Sequence, residues 1–177
     1  MPKPVRRLIT GHNKAGRSIF LKDEDATNVF APKTLAGLAL TDLWETKSVP
    51  ASNVGEEDAA ARPFKLEPPK GGTVFRIVEF PPDSHLATAG DISKIFEEIG
   101  SPDAKDKKSP RHPGFHKTNS VDYAIVIEGE IWAMMDEGEK LMKTGDVLIQ
   151  RGTNHAWSNR TTVPARVAFI LIDADRG

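Results

Sequence analysis

The sequence has no cysteine, which removes disulfides, thiolate metal sites and cysteine nucleophiles from consideration. It has no excess of charge of either sign. Twenty-four Lys and Arg stand against 25 Asp and Glu, for a net charge of −1, so no single-sign field draws in nucleic acid or an anionic membrane surface. It has no long apolar run. The longest glycine-free one covers residues 167–172, far short of the roughly 20 residues that span a bilayer. The basic residues Lys3, Arg6 and Arg7 are not followed by the apolar core of a secretory leader. Nucleophile-elbow, phosphate-loop and dinucleotide-binding patterns are missing as well. These absences lead us to expect a soluble, cytoplasmic protein with a small-molecule partner and with neither nucleic acid nor membrane as a partner.

What is present changes character near residue 120. After it, short β-type runs at 123–127, 131–135, 140–142, 147–150, 155–159 and 165–172 alternate with Gly-, Asp- and Asn-containing turns. Short strands at roughly 8–12-residue spacing predict an antiparallel sandwich or barrel. No 10–15-residue helical pattern alternates with them, which disfavours a parallel α/β sheet. Before residue 120 the chain is polar and proline-rich. Residues 7–10 and 18–21 flank a Gly-containing loop and predict a hairpin; 40–44 and 73–80 read as strands, and 50–69 mostly as loop. The expected organisation is an N-terminal β arm with loops over 1–70 and a barrel over 71–177.

One helix is expected. Ile92, Ile95, Phe96 and Ile99 fall at i, i+3, i+4 and i+7, with Asp91 at the N-cap position and Gly100 just past the end. Residues 101–114, with lysines at 105, 107 and 108, show no apolar periodicity and read as a long loop, a candidate lid.

The chemistry concentrates between residues 112 and 159. In an extended strand alternate residues share a face, so His116, Thr118, Ser120 and Asp122 would project together into the barrel. His155 and Asn159 form a second polar group, with Trp157 between them on the same face. Buried polar groups of this kind are costly unless they bind one another, water, a metal or a ligand. Two histidines and a carboxylate from neighbouring strands make a three-ligand face with open positions, as in non-haem iron sites, and such donors also suit Zn, Mn or Ni. His116, Asp122 and His155 are therefore the candidate catalytic and metal-ligating residues. Thr118, Trp132, Met134, Trp157 and His112 are the candidate substrate-pocket residues. His12 and His85 read as exposed loop residues.

These residues carry a resemblance. His116, Asp122 and Gly129, followed by Gly145, Gly152, His155 and Asn159, resemble the two signature motifs of the cupin superfamily. Thr118 stands where the second histidine of the first motif usually sits, Asp122 where its glutamate does, and Arg151 near the usual proline of the second. The pattern His-x-Thr-x-Ser-x-Asp-Tyr over 116–123 is similar to that of a subset of single-domain cupins. The resemblance implies an all-β, double-stranded β-helix (jelly-roll) barrel, a divalent metal at His116, Asp122 and His155, and a homodimer made by sheet packing and exchange of the N-terminal arm. Three functions stay open: a metal-dependent enzyme with oxygenase-like or Lewis-acid chemistry, a metal-independent lyase, dehydratase or isomerase using a histidine base, and a non-catalytic binder of small ligands.

Overall fold

The computed structural model describes residues 2–106, 108–109 and 111–175. Eleven strands and one α-helix follow in order: β1 (Arg6–His12), β2 (Ser18–Asp25), β3 (Val29–Phe30), β4 (Ala39–Thr46), β5 (Thr73–Phe80), α1 (Ser93–Glu98), β6 (Ser120–Glu128), β7 (Glu130–Met135), β8 (Glu139–Lys143), β9 (Val147–Arg151), β10 (His155–Ser158) and β11 (Ala165–Asp173). The all-β expectation with one short helix holds.

A six-stranded sheet, β3-β4-β5-β11-β6-β9, faces a three-stranded sheet, β10-β7-β8, and every pairing in both is antiparallel. Alternation along each strand fills the space between them. On β6, Ser120, Asp122, Ala124 and Val126 are buried, while Tyr123 and Ile127 are exposed. Val74, Val126, Ile131 and Val167 lie at the centre of the resulting core, the arrangement expected of two sheets closed into a barrel. The strands β3 and β4 belong to the larger sheet, so its hydrogen bonding crosses the expected division at residue 70. What stands apart is the β1-β2 hairpin. Its turn is set by Asn13, whose side-chain oxygen accepts the N–H groups of Ala15 and Arg17, and by Gly16 at a φ of 72°.

The helix is shorter than its apolar stripe; its glycine end is built as the sequence suggests, while its N-cap is Ile92, one residue after the expected Asp91. Asp91 accepts the Ser93 N–H at 2.9 Å. Gly100 takes a φ of 71°, and the Ser101 N–H returns to the Phe96 carbonyl, the wider bond of a glycine-terminated helix. The segment after it is partly ordered by pairing: Lys105 bridges to His116, and residues 102–104 form a 3-10 turn. Lys107 lies outside the described residues. No helix among the described residues is long and apolar enough to cross a membrane.

One buried charge network crosses the sheet. Arg76, inward on β5 and 2% exposed, donates from Nε to Asp42 at 2.6 Å and to the carbonyls of Lys65 and Leu66. Its guanidinium lies 4.4 Å from the Phe64 ring centroid. Arg62 bonds the same Asp42 at 2.9 Å and pairs with Glu45. Removing one member of such a network leaves an uncompensated charge. Arg76→Met is expected to lose about 3 kcal/mol of stability or more, seen as a lower urea midpoint at unchanged m-value. A midpoint equal to that of the unmodified protein would show that the pair contributes nothing.

Candidate functional site

The barrel opens on a cavity of about 160 Å³. Aliphatic and aromatic side chains make most of its wall, and His112, His116, Thr118, Asp122, His155 and Arg76 make the polar part. Helix α1 and the caps that flank it cover the cavity, placing Ile92, Ile95, Phe96 and Ile99 on the lining, with Phe96 against the His116 ring at 5.4 Å between centroids.

The expected row from His116 to Asp122 is broken in the structure. His116 is not on β6. It exchanges two backbone hydrogen bonds of 2.9 Å with His155 of β10, so it extends the smaller sheet. By Asn119, whose carbonyl accepts the Ala174 N–H, the chain has crossed to the larger one. The two histidines are thereby directly opposed, and their rings lie 4.3 Å apart between centroids. Thr118, Ser120 and Asp122 do follow one another on the inner face. The Thr118 and Ser120 hydroxyls are 2.9 Å apart. Thr118 also lines an outer groove that holds Lys117 and Asn119.

Each imidazole is oriented by the chain two residues before it. His116 Nδ1 lies 2.9 Å from the Gly114 carbonyl, and His155 Nδ1 lies 3.0 Å from the Thr153 carbonyl. A carbonyl only accepts, so both Nδ1 atoms carry the proton and both Nε2 atoms hold a lone pair. Burial lowers the pKa of both rings. His155 is pushed to about 3 by burial and by the neighbouring His116, against the Thr153 carbonyl. His116 is lowered by burial, against the Gly114 carbonyl and Glu67. Asp122 moves the other way, to about 6, because burial outweighs the Ser120 hydroxyl and the Arg76 charge. Its Oδ1 is enclosed and has no hydrogen-bond partner among the described residues.

The three expected metal ligands share a cavity but not a ligand geometry: among the described residues no three His, Asp or Glu side chains come together as a metal site. The two imidazole Nε2 lone pairs fit a divalent ion, but the carboxylate does not complete the set. The residues present therefore do not fit the three-ligand Fe, Zn, Mn or Ni site anticipated from the sequence.

Of the expected pocket residues, Thr118, Trp157 and His112 line the cavity. Trp132 and Met134 do not, and strand parity gives the reason. Met134 pairs in register with Ala156, and Trp132 with Ser158, so both face away from His155 and Trp157. Met134 packs with Phe115 and Ala156 in a separate cluster, and Trp132 is covered by the Arg160 guanidinium at 4.4 Å. Asn159 is also outside the cavity. Its amide donates to the Phe80 and Val163 carbonyls and its oxygen accepts from Thr161, which organises the turn before β11. His12 and His85 are exposed, as expected. The reading of the sequence missed Arg76 and the α1 stripe as lining. Arg76 had a signal, since Val74 and Val78 flank it on the same face of β5.

The histidine values fix a pH dependence. Below the ordinary histidine value of 6.5 the unfolded chain takes up a proton that folded His155 refuses until about 3. Stability is therefore full above 6.5 and falls as the pH drops through that window, and His116 acts with the same sign. Asp122, raised from 3.8 to about 6, opposes this, adding stability at low pH that is lost as the pH rises through 6. Two imidazoles against one carboxyl leave a net loss on acidification. The Tm is expected to be lower at pH 5 than at pH 7, with a shallower decline in His155→Phe. An equal decline in that variant would remove His155 as the cause.

No family model matches the chain. Its curated relatives do. A cupin-domain-containing oxidoreductase of Neurospora crassa is 31% identical over 179 residues, covering 97% of this chain and 76% of that protein. One of Hypocrea virens is 30% identical, covering 94% and 75%. A phomopsin biosynthesis cluster protein of Diaporthe leptostromiformis is 29% identical, covering 95% and 78%. With its barrel, its two motifs and these relatives along nearly its whole length, the chain belongs to the cupin superfamily, beside the fungal cupin-domain-containing oxidoreductases.

Proposed function

We propose that the protein is a cytoplasmic small-molecule enzyme in which the His116–His155 pair acts as the base for proton transfer within an apolar cavity. The observation that carries this reading is the pair itself: two neutral imidazoles 4.3 Å apart, each with Nδ1 held at a backbone carbonyl and Nε2 left with a lone pair. A base fixed in orientation meets the geometric requirement of general base catalysis, while burial holds both rings below their ordinary pKa and makes them weaker bases until substrate is bound. Asp122, raised to about 6 by burial, supplies a carboxylate on the same wall at neutral pH. The cavity admits a small and largely apolar substrate. Relatives named oxidoreductases support an enzyme, and the proton-transfer step is the part that these residues can perform themselves.

The test uses 2-indanone, a small ketone with acidic C–H groups, in chelator-treated protein. In D₂O the α-proton moves to the base, the electron pair passes into the enolate, and a deuteron returns to carbon. Exchange followed by proton NMR is expected to exceed that in buffer by at least tenfold and to fall towards the buffer rate in His116→Phe and His155→Phe. Exchange at the buffer rate with the ketone bound would overturn the reading. Restoration only with Fe, Zn, Mn or Ni would replace it by a metal-dependent one.

We also propose a second copy of this chain as partner. Phe75, Ile170, Tyr123 and Ile149 stand opposite one another in register on the outer face of the six-stranded sheet. Phe75, Tyr123, Ile149 and the nearby Val147 are exposed, and a contiguous apolar surface of this kind favours association. Light scattering is expected to give a dimer, with Val147→Lys/Ile149→Lys monomeric. A monomeric unmodified protein would rule the interface out.

A further inference from the structure

The backbone decides the hydrogen-bonding sense of the histidine pair, and that bears on which ligands the cavity accepts. A neutral imidazole has one donor and one acceptor nitrogen. In both rings the donor is consumed at Nδ1 by a carbonyl, that of Gly114 for His116 and that of Thr153 for His155. Neither ring can reverse this, because the carbonyl offers no proton and burial lowers the affinity of both rings for a second one. The nearby hydroxyls add no free donor once they bond inward: Thr118 and Ser120 are 2.9 Å apart, and the Ser120 hydroxyl acts on Asp122. As a carboxylate, Asp122 adds Oδ1 as a further enclosed acceptor without a partner among the described residues. Arg76 is a donor, but four of its five N–H groups are engaged by Asp42 and by the Lys65 and Leu66 carbonyls. His112 is a donor as well, because its Nδ1 accepts the Gly114 N–H and leaves the proton on Nε2, but that nitrogen is turned to Asp83, 3.8 Å from its Oδ1. Beside His116 and His155 the polar wall therefore offers acceptors, and the rest of it is chiefly hydrocarbon.

We propose that the cavity selects a small, otherwise apolar ligand that brings a hydroxyl or N–H donor to the Nε2 atoms of His116 and His155. A carbonyl or ether oxygen turned to those atoms would set lone pair against lone pair and lose its hydrogen bonds to water without replacement, so a ketone enters only with its α C–H groups facing the Nε2 atoms and its oxygen directed elsewhere. A hydroxyl regains a bond and presents to the base the proton to be moved. Size points the same way: at about 160 Å³ the cavity is comparable to an engineered one of roughly 150 Å³ that holds benzene, so a single hydroxylated ring is the right scale. The inference rests on the reading of this cavity as the functional site.

Two probes of nearly equal shape test it, p-cresol and 4-fluorotoluene, titrated into chelator-treated protein by ligand-observed NMR. p-Cresol is expected to bind about fivefold more tightly, the ratio that one net hydrogen bond gives. The ratio should fall to one or below in His116→Phe and His155→Phe, with 4-fluorotoluene binding retained. A measurement on the unsubstituted protein guards against variants that fail to fold. Long-range proton–nitrogen correlation should show both rings protonated at Nδ1, and p-cresol but not 4-fluorotoluene should move an Nε2 resonance. Equal affinities, or rings protonated at Nε2, would overturn the donor rule and leave the cavity as a site. Binding of neither probe would overturn the cavity itself, and the proton-transfer reading with it.

Discussion

The reciprocal backbone bridge between His116 and His155 is the constraint on which the site depends. Two hydrogen bonds of 2.9 Å bring residues 39 positions apart in the sequence into direct opposition, at the point where the chain leaves the smaller sheet for the larger. Opposed residues in an antiparallel pair put their side chains on the same face, a few ångströms apart. The proximity of the imidazoles is thus set by main-chain geometry before any side-chain interaction is considered. Phe96 above His116 and Trp157 beside His155 then hold the rings in an apolar setting.

That setting explains the electrostatics. The same burial that drives both imidazoles towards neutrality drives Asp122 towards its protonated form. A low-dielectric wall suppresses charge of either sign unless a partner is supplied. Partners are supplied on β4, on β5 and in the loop between them, where Asp42 and Glu45, Arg76, and Arg62 neutralise one another. The barrel thus closes most of its buried charge into a network at one side, with Arg76 reaching the cavity wall already paired, and presents two neutral imidazoles beside it.

Much of this was legible in the sequence, for reasons that can be named. Turn residues at regular spacing located β6 to β11, and the period-2 alternation on β6 placed Ser120 and Asp122 on the inner face. Gly100 marked the end of α1, and Asp91 its N-cap to within one residue. What failed was parity between neighbouring strands. Trp132 and Met134 looked like pocket residues because they are large and apolar and lie in a strand, but their phase depends on the register with β10. That register is a long-range property that local patterning does not contain. The row from His116 to Asp122 failed differently: a run of alternating polar residues hides a change of sheet, because an extended backbone looks alike in either. The metal expectation depended on that row, since Asp122 belongs to one sheet and both histidines to the other.

Helix α1 has a consequence of its own. Its six residues are too few to persist on helical hydrogen bonding, since isolated helices below about 12–15 residues are marginal in water. The helix holds because its apolar stripe packs on Leu66 and Ala104 and over the cavity. An occupant that fills the space beneath adds contacts to the element that encloses it, so occupancy and local order of the cover are thermodynamically linked. Such a chamber is tightest when full, and the work of arranging its cover is subtracted from the affinity of whatever enters.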